Sequence, residues 1–361
     1  MKTQFKAVLF IFLFPVLIFA NSDKPVYKHK KEKTFHKEFN VNSDAKLNVD
    51  NSFGNVDIVT WNENRIVIDV IITVDGNNED KVQKRLDGID VEFSASNTLV
   101  SAITKFNKSK SSWNWLGNNN NNSSMKINYT IKMPINNSLD LSNDYGAINL
   151  NKLNGQANIS CDYGKLIIGE LNADDNSLNF DYTSKSTIGY MKNGSIDADY
   201  SGFTLDKVGN LELNADYTNS RIGEVTQINY NCDYGKISVE DVRKLDGTGD
   251  YISHIIGTVH SSLNINADYG SIKVDKLEAS VKSAVISADY TGIKMGYDSG
   301  LNFDFALDLR YASFNGEEGL TIQHSDKQNN SKKYSGYHGS QNSGNNININ
   351  SEYGGVTLTK Q

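Results

Sequence analysis

Ala267-Asp268-Tyr269-Gly270-Ser271-Ile272-Lys273-Val274 is one copy of a phrase that this chain of 361 residues repeats. An Asp-Tyr pair occurs nine times, and successive tyrosines of these pairs are 17 to 21 residues apart. A period of this length indicates stacked structural units. The aspartates of the nine pairs are Asp144, Asp162, Asp181, Asp199, Asp216, Asp233, Asp250, Asp268 and Asp289. Degenerate copies flank them at Asn51-Ser52-Phe53-Gly54, Arg310-Tyr311 and Glu352-Tyr353-Gly354.

Within one copy, apolar and polar residues alternate as they do along a β-strand. Ala157, Ile159 and Tyr163 share one parity, and the phase changes after Gly164, where Leu166 continues the apolar series. A unit of about 18 residues with a corner at Tyr-Gly is too short for a strand-helix-strand crossover, and it fits one coil of a β-solenoid. We therefore predict an all-β solenoid whose tyrosines point inward and stack near the corner.

The first two regions of the chain carry basic residues. Residues 1–20 are typical of a secretory signal peptide, and their apolar run is shorter than the roughly 20 residues that a membrane anchor needs. Residues 21–38 are rich in Lys and His, and we expect a solvated basic N-terminal arm. An electrostatic tether to anionic lipid or glycan is the alternative for this arm.

Residues 39–138 predict a first coil and a cap. One short helix is expected from Asn78 to Leu86, with an Asn as its N-cap and Gly88 at its end. An Asn-rich loop in this region carries Trp113 and Trp115, which would either contact a partner such as a sugar ring or fold back on the cap. The remaining residues, 139–361, predict the solenoid itself, interrupted by a polar excursion at 325–346 that we expect to be disordered.

The charge of the chain argues against binding to nucleic acid, and the positions of its two cysteines argue against a disulfide. The whole chain carries 36 basic and 43 acidic residues, and removal of the leader takes two lysines and no acids, which leaves a net charge of −9. An acidic chain is a poor binder of nucleic acid. Cys161 and Cys232 both occupy the position before Asp-Tyr, four coils apart, so we expect them to be buried free thiols rather than a disulfide.

The repeated aspartates are the polar residues that the period singles out. They are expected to point outward in one column, where neighbouring charges repel unless they are capped or bridged. One hypothesis is that each carboxylate accepts N–H groups at its own corner, and the alternative is a ladder of bound cations. The chain contains no nucleophile elbow, phosphate loop or His-Glu-Xaa-Xaa-His motif, so no catalytic residue, metal ligand or cofactor is predicted.

At the level of these residues the chain resembles the bacterial putative-adhesin family. The resemblance rests on the leader, the Asn51-Ser52-Phe53-Gly54-Asn55-Val56 phrase, the long strands of the cap and the Ala-Asp-Tyr-Gly copies. It covers residues from about 39 to the C-terminus. It implies an exported right-handed β-solenoid at the cell envelope or surface with a non-catalytic role, and it supplies no catalytic residues.

Two functional hypotheses follow from the sequence. The first is a non-enzymatic exported protein, adhesin-like or scaffolding, that presents a repetitive polar face to a surface protein or polysaccharide. The alternative is a carbohydrate-binding or carbohydrate-active β-helix. Both place the mature chain in the periplasm, at the cell surface or outside the cell, and no apolar segment after the leader is suited to span a membrane.

Overall fold

A computed structural model of the chain describes residues 27–107 and 123–361. The described chain is all-β: it contains 26 strands, one α-helix and one short 3₁₀ helix, and every strand belongs to a single hydrogen-bonded sheet. The predicted signal peptide (residues 1–20) lies outside the described residues.

The elements fall into three groups along the chain. The first group is β1 (His29–Asn40), β2 (Lys46–Ser52), β3 (Val56–Trp61), β4 (Arg65–Gly76), α1 (Glu79–Asp87), β5 (Ile89–Ala95), β6 (Leu99–Phe106) and β7 (Ser123–Pro134). The second is β8 (Ser138–Asp144), β9 (Ala147–Leu153), β10 (Ala157–Asp162), β11 (Lys165–Leu171), β12 (Asn176–Asn179), β13 (Ser186–Asp197), β14 (Gly202–Asn214), β15 (Asn219–Asn231), β16 (Gly235–Asp250), β17 (Ile252–Asp268), β18 (Ser271–Leu277), β19 (Ser283–Asp289) and β20 (Gly292–Tyr297). The third is β21 (Phe303–Arg310), β22 (Phe314–Asn315), the 3₁₀ helix Glu317–Gly319, β23 (Thr321–Gln328), β24 (Ser331–His338), β25 (Asn346–Glu352) and β26 (Val356–Lys360).

The second group forms a parallel stack. We call each segment from one corner tyrosine to the next a rung, and successive rungs pair in parallel. Leu205 is in register with Ile222, Ile222 with Val239, and Val239 with Ile256. These four side chains are at most 1% exposed, so the core is a column of aliphatic residues that each rung buries on its neighbours.

The corner tyrosines point outward, so the predicted inward orientation is wrong. Each has a positive φ, which is 52° at Tyr217, and a residue in this left-handed region breaks the alternation of a strand. The inward position next to the corner is filled by small residues instead, among them Ala198, Ala215 and Cys232. Cys161 and Cys232 are both buried free thiols, which confirms the prediction that they are not bridged.

The N-terminal cap covers the open end of the core. Helix α1 begins as the sequence predicts, because the Asn78 side chain accepts a hydrogen bond from the Lys81 N–H at 2.9 Å. Its buried residues, Val82 and Leu86, join the main hydrophobic core. The antiparallel pairs β1–β4, β4–β7 and β5–β6 complete this end of the stack.

The described part of the predicted basic arm (21–38) is not a solvated arm. Strand β1 pairs with β4 through 12 consecutive residue pairs, and Phe35 and Phe39 pack against the core. Lys31, Lys33 and Lys37 lie on the same face of the strand as these phenylalanines, and the ammonium groups of Lys33 and Lys37 lie over the rings of Phe35 and Phe93. Charged side chains on an edge strand resist pairing with other chains. This accounts for the Lys-rich composition of residues 21–38, from which we had predicted a solvated arm.

The C-terminal end differs from the expected disordered excursion at 325–346. Strands β23 and β24 form an antiparallel hairpin, and β24 pairs with β21 over eight residue pairs. Tyr334 is buried, and the Nδ1–H of His338 donates to the carbonyl of Leu301 at 2.6 Å. Only alternate residues of β24 face the core, so its composition resembles that of a loop.

The last two strands do not follow the order of the sequence. Strand β25 lies between β19 and β21, and β26 lies between β20 and β22. The C-terminal strands β25 and β26 therefore form the penultimate rung of the stack. Strands β21 and β22, which precede them in sequence, form the last rung.

One polar pair lies inside the apolar core. His254 is fully buried, and its Nδ1 lies 2.7 Å from the hydroxyl of Tyr230, while its Nε2 has no hydrogen-bond partner among the described residues. Gly247 leaves room for the Tyr230 ring, because a Cβ at Gly247 would lie 2.0 Å from that ring. Burial lowers the pKa of His254 to about 4.

The shifted pKa of His254 predicts a loss of stability in acid. The unfolded histidine binds a proton below its ordinary pKa of about 6.5, whereas the folded one stays neutral down to about 4, so acid favours the unfolded chain in this interval. Between about pH 7 and about pH 5, we expect His254 to remove about 2 kcal/mol from the free energy of unfolding, measured by urea titration. The Tyr230→Phe, His254→Leu double variant should lack this component, and equal pH dependence in the two proteins would contradict the assignment.

Candidate functional site

The most regular exposed feature of the molecule is a ladder of aromatic rings, one from each corner. Neighbouring rings are stacked with centroids 4.7 to 5.2 Å apart and planes within 9° of parallel. We call this set the tyrosine ladder, and in spatial order it consists of Phe53, Tyr145, Tyr163, Tyr182, Tyr200, Tyr217, Tyr234, Tyr251, Tyr269, Tyr290, Tyr353 and Tyr311.

Every ring of the ladder comes from a residue in the left-handed conformation. Twelve of the 15 described non-glycine residues with positive φ belong to it. For a residue with a Cβ this conformation costs about 1–2 kcal/mol, which glycine would avoid. An offset-stacked aromatic pair contributes about 0.5–1.5 kcal/mol beyond its buried area, so two neighbours can offset the cost at each corner. The ladder is therefore self-supporting only while its rings are contiguous.

Backbone hydrogen bonds set the spacing of the rings. In most corners the tyrosine N–H donates to the carbonyl of the aspartate one rung further on, as from Tyr217 to Asp233 at 2.8 Å and from Tyr234 to Asp250 at 3.0 Å. The same bond recurs at eight consecutive corners, from Tyr145 to Tyr269, with lengths of 2.8–3.0 Å. Because this bond repeats, every ring is displaced from the last by one rung, which is the separation that stacking requires.

The eleven tyrosines of the ladder are 45–55% exposed. Their ring faces are covered by neighbouring rings, so the outer ring edges and the hydroxyls are what solvent reaches. None of these hydroxyls has a hydrogen-bond partner within residues 27–107 and 123–361. The ladder is thus a narrow aromatic strip with a row of free hydroxyl groups.

The nine aspartates lie in a column beside the ladder. Asp144 is in register with Asp162, and Asp268 with both Asp250 and Asp289. Most are half-buried rather than turned fully outward, because their carboxylates bind backbone groups. The Oδ1 of an aspartate accepts the N–H of the next aspartate at 2.8–3.3 Å in five pairs: Asp181–Asp199, Asp199–Asp216, Asp216–Asp233, Asp233–Asp250 and Asp268–Asp289.

These bonds correct the hypothesis of a cap at each aspartate's own corner. The acceptor belongs to one rung and the donor to the next, so the carboxylate links rungs instead of closing its own turn. The sequence could not reveal this, because residues that are distant along the chain supply the two groups.

No lysine, arginine or histidine forms an ion pair with any of the nine aspartates in the described part of the chain. Burial, and then the nearby Asp162 and Asp50, raise the pKa of Asp144. Among the described residues, no group of three or more His, Cys, Asp or Glu is arranged to hold a metal ion. The column is a line of like charges held by amide hydrogen bonds.

Other residues singled out by the sequence do not join this surface. Trp113 and Trp115 lie outside the described residues. Within the described ranges, no helix has the length and apolar character that a membrane span requires. Sequence reasoning missed the exposure of the tyrosines, although the change of phase at each Tyr-Gly was a signal of a left-handed corner.

Fold and ladder together define an all-β protein of parallel rungs with an exposed aromatic edge. The solved structures to which it is similar include a putative cell adhesion protein from Clostridium sporogenes (13% identity, 92% of this chain and 100% of the other, TM-score 0.19), a putative adhesin from Bacteroides fragilis (12%, 91% and 97%, 0.22) and a putative adhesin from Parabacteroides distasonis (9%, 91% and 97%, 0.30).

The structures from Bacteroides fragilis and Parabacteroides distasonis bear the name of the family that the sequence resembles. No family model and no curated protein matches the chain.

Two substitutions in the aspartate column separate the effect of its hydrogen bonds on stability from the effect of its charges. Asp216→Asn keeps an acceptor for the Asp233 N–H and removes one like charge, so it should be at least as stable as the natural chain. Asp216→Ala removes the acceptor as well. In urea titrations, we expect its free energy of unfolding to be about 1 kcal/mol lower than that of Asp216→Asn.

Calcium provides the control for this prediction. If amide groups satisfy the column, millimolar calcium should leave the melting temperature of the natural chain unchanged. A rise of more than about 5 °C that is lost in the Asp216→Ala, Asp233→Ala double variant would show that the column binds cations instead.

Proposed function

We propose that this chain is an exported, non-enzymatic β-solenoid, adhesin-like or scaffolding, that contacts a surface partner through the tyrosine ladder. The observation that carries the proposal is the exposure of eleven stacked tyrosines in a strained conformation. Local strain tends to persist where function requires it. A glycine corner would close each rung at lower cost, and the tyrosines instead produce a continuous aromatic strip along the stack.

We infer that the chain winds through the stack with a right-handed twist from each rung to the next. The strands from β8 to β20 pair only in parallel with strands of neighbouring rungs, and each connection crosses to the next rung. Parallel crossovers in one sheet are right-handed in nearly all proteins. The family resemblance carries the same expectation.

A contact surface accounts for the ladder better than a catalytic centre does. An active site needs a local break in the repetition, where groups with different environments meet. Along the middle of the ladder, from Tyr182 to Tyr234, each corner instead repeats the same ring, the same backbone bond and the same carboxylate bond. A long, uniform edge is suited to a partner that is itself extended or repetitive.

The geometry also bears on the class of partner. A sugar that stacks on an aromatic residue needs a free ring face, and the ladder covers its own faces. Contacts would therefore be made by ring edges, hydroxyls and the neighbouring carboxylates. A surface protein or a polysaccharide bound through hydrogen bonds fits these groups, and an export route through the predicted leader would bring the chain to the envelope, the cell surface or the medium.

A binding experiment tests the proposal. Labelled mature protein would be incubated with insoluble cellulose, chitin, peptidoglycan and a protein-and-glycan array, and the supernatants assayed for reducing ends. We expect binding without release of reducing ends. Substitution of Ser for Tyr200, Tyr217 and Tyr234 together should weaken that binding at least about tenfold, since contacts over three rungs are lost.

Two further variants control this experiment. Tyr→Phe at the same three positions preserves the stack and tests the hydroxyls alone. Val59→Ser with Ile167→Ser alters exposed apolar residues outside the ladder and should leave binding unchanged. Release of reducing ends by the natural chain, or equal binding by the triple Ser variant, would contradict the proposal.

A further inference from the structure

The tyrosine ladder brings phenols together in a way that no other part of the described chain does. It contains ten consecutive Tyr–Tyr ring contacts, from Tyr145–Tyr163 to Tyr353–Tyr311. In the described ranges, the tyrosines outside the ladder have ring contacts only with Phe or His, as Tyr230 has with His254 and Tyr334 with Phe314. Contiguous, exposed phenols are a chemical property distinct from partner binding.

We propose that the tyrosine ladder is a site of oxidative cross-linking, at which neighbouring phenols couple to dityrosine when a peroxide-driven one-electron oxidant is present. The proposal does not depend on the identity of any binding partner. It assigns the ladder a modification that would join adjacent rungs covalently.

Coupling of one pair of phenols is a two-electron oxidation. Each phenol gives one electron to the oxidant and its phenolic proton to water, which leaves two tyrosyl radicals. The two ortho carbons form one C–C bond, and the hydrogen that each carbon carried moves to the ring oxygen and restores the phenol. The pair loses two hydrogen atoms, and hydrogen peroxide accepts the two electrons and two protons to give two water molecules.

The geometry favours coupling between neighbours in the same chain. Tyr200, Tyr217 and Tyr234 are parallel within 2°, with centroids 4.7 Å apart, so equivalent ring atoms are separated by about one rung before any movement. Each ring is about half exposed, which lets an oxidant reach it at the surface and lets the ring tilt to form the bond. Buried phenols such as those of Tyr129 and Tyr230 meet neither condition.

The ends of the ladder give this chemistry a structural consequence. Phe53 terminates one end and has no phenol, so coupling stops at Tyr145. At the other end, Tyr353 of the inserted C-terminal rung stacks on both Tyr290 and Tyr311. A bond from Tyr353 to either neighbour would fasten the C-terminal segment into the stack.

The test is controlled oxidation of the mature protein. Dilute protein would be treated with a haem peroxidase and limiting hydrogen peroxide, and then examined by dityrosine fluorescence, intact mass and peptide mapping. We expect chains that stay monomeric, lose two hydrogens per link and are linked between ladder neighbours. Protein unfolded in urea, oxidised in the same way, should lose this selectivity.

Matched single variants locate the links. Tyr217→Phe keeps a stacked ring but has no phenol, so the Tyr200–Tyr217 and Tyr217–Tyr234 links should vanish while Tyr251–Tyr269 persists. Tyr337→Phe, outside the ladder, should leave all ladder links in place. Links made chiefly between chains, links at Tyr190 or Tyr337 as frequent as ladder links, or no dityrosine in the folded protein would each overturn the proposal.

Discussion

Stacking between corner rings is the interaction on which the rest of this structure depends. Each rung must turn sharply after its aspartate, and the chain makes that turn with an aromatic residue in the left-handed conformation. The turn ends one strand, directs the ring into solvent and lets the next strand begin on a new face. Because the same turn recurs in every rung, the aliphatic columns of the core stay in register.

The energetic balance at a corner links stability to the exposed surface. A tyrosine there is disfavoured by about 1–2 kcal/mol relative to an ordinary conformation, and two stacking contacts return a similar amount. A single corner of this kind would be a liability, whereas a contiguous series of them is not. The same unbroken series of rings forms the exposed strip that we propose as a contact surface and as a site of phenol coupling. The stacking that stabilises the fold therefore also creates the surface to which we assign both roles.

Much of the architecture could be read from local patterns. The period located the corners, alternation identified the core strands, and an Asn at the N-cap with Gly88 at the end placed the helix. The aspartate column also followed from the period alone. These features depend on residues close together in sequence, where propensity and spacing carry most of the information.

The errors arose where distant residues decide the structure. The direction of the tyrosines depends on a positive φ that rings on neighbouring rungs help to stabilise. Strand β1 looked like a solvated arm because only its pairing with β4 and the inward Phe35 reveal it. The polar residues of β24 and the insertion of β25 between β19 and β21 likewise follow from long-range pairing. The carboxylate bonds between rungs escaped prediction for the same reason.

A double-mutant cycle on the ladder tests the central claim most directly. Tyr200→Ala and Tyr217→Ala each remove stacking but retain the strained corner, and the free energies of unfolding of both single variants and the double variant would be measured in urea. Adjacent rings should show a coupling energy of about 0.5–1.5 kcal/mol, whereas Tyr200 and Tyr251, which are not neighbours, should be additive. Additivity of the adjacent pair would contradict the account, because stacking would then contribute nothing to holding the corners.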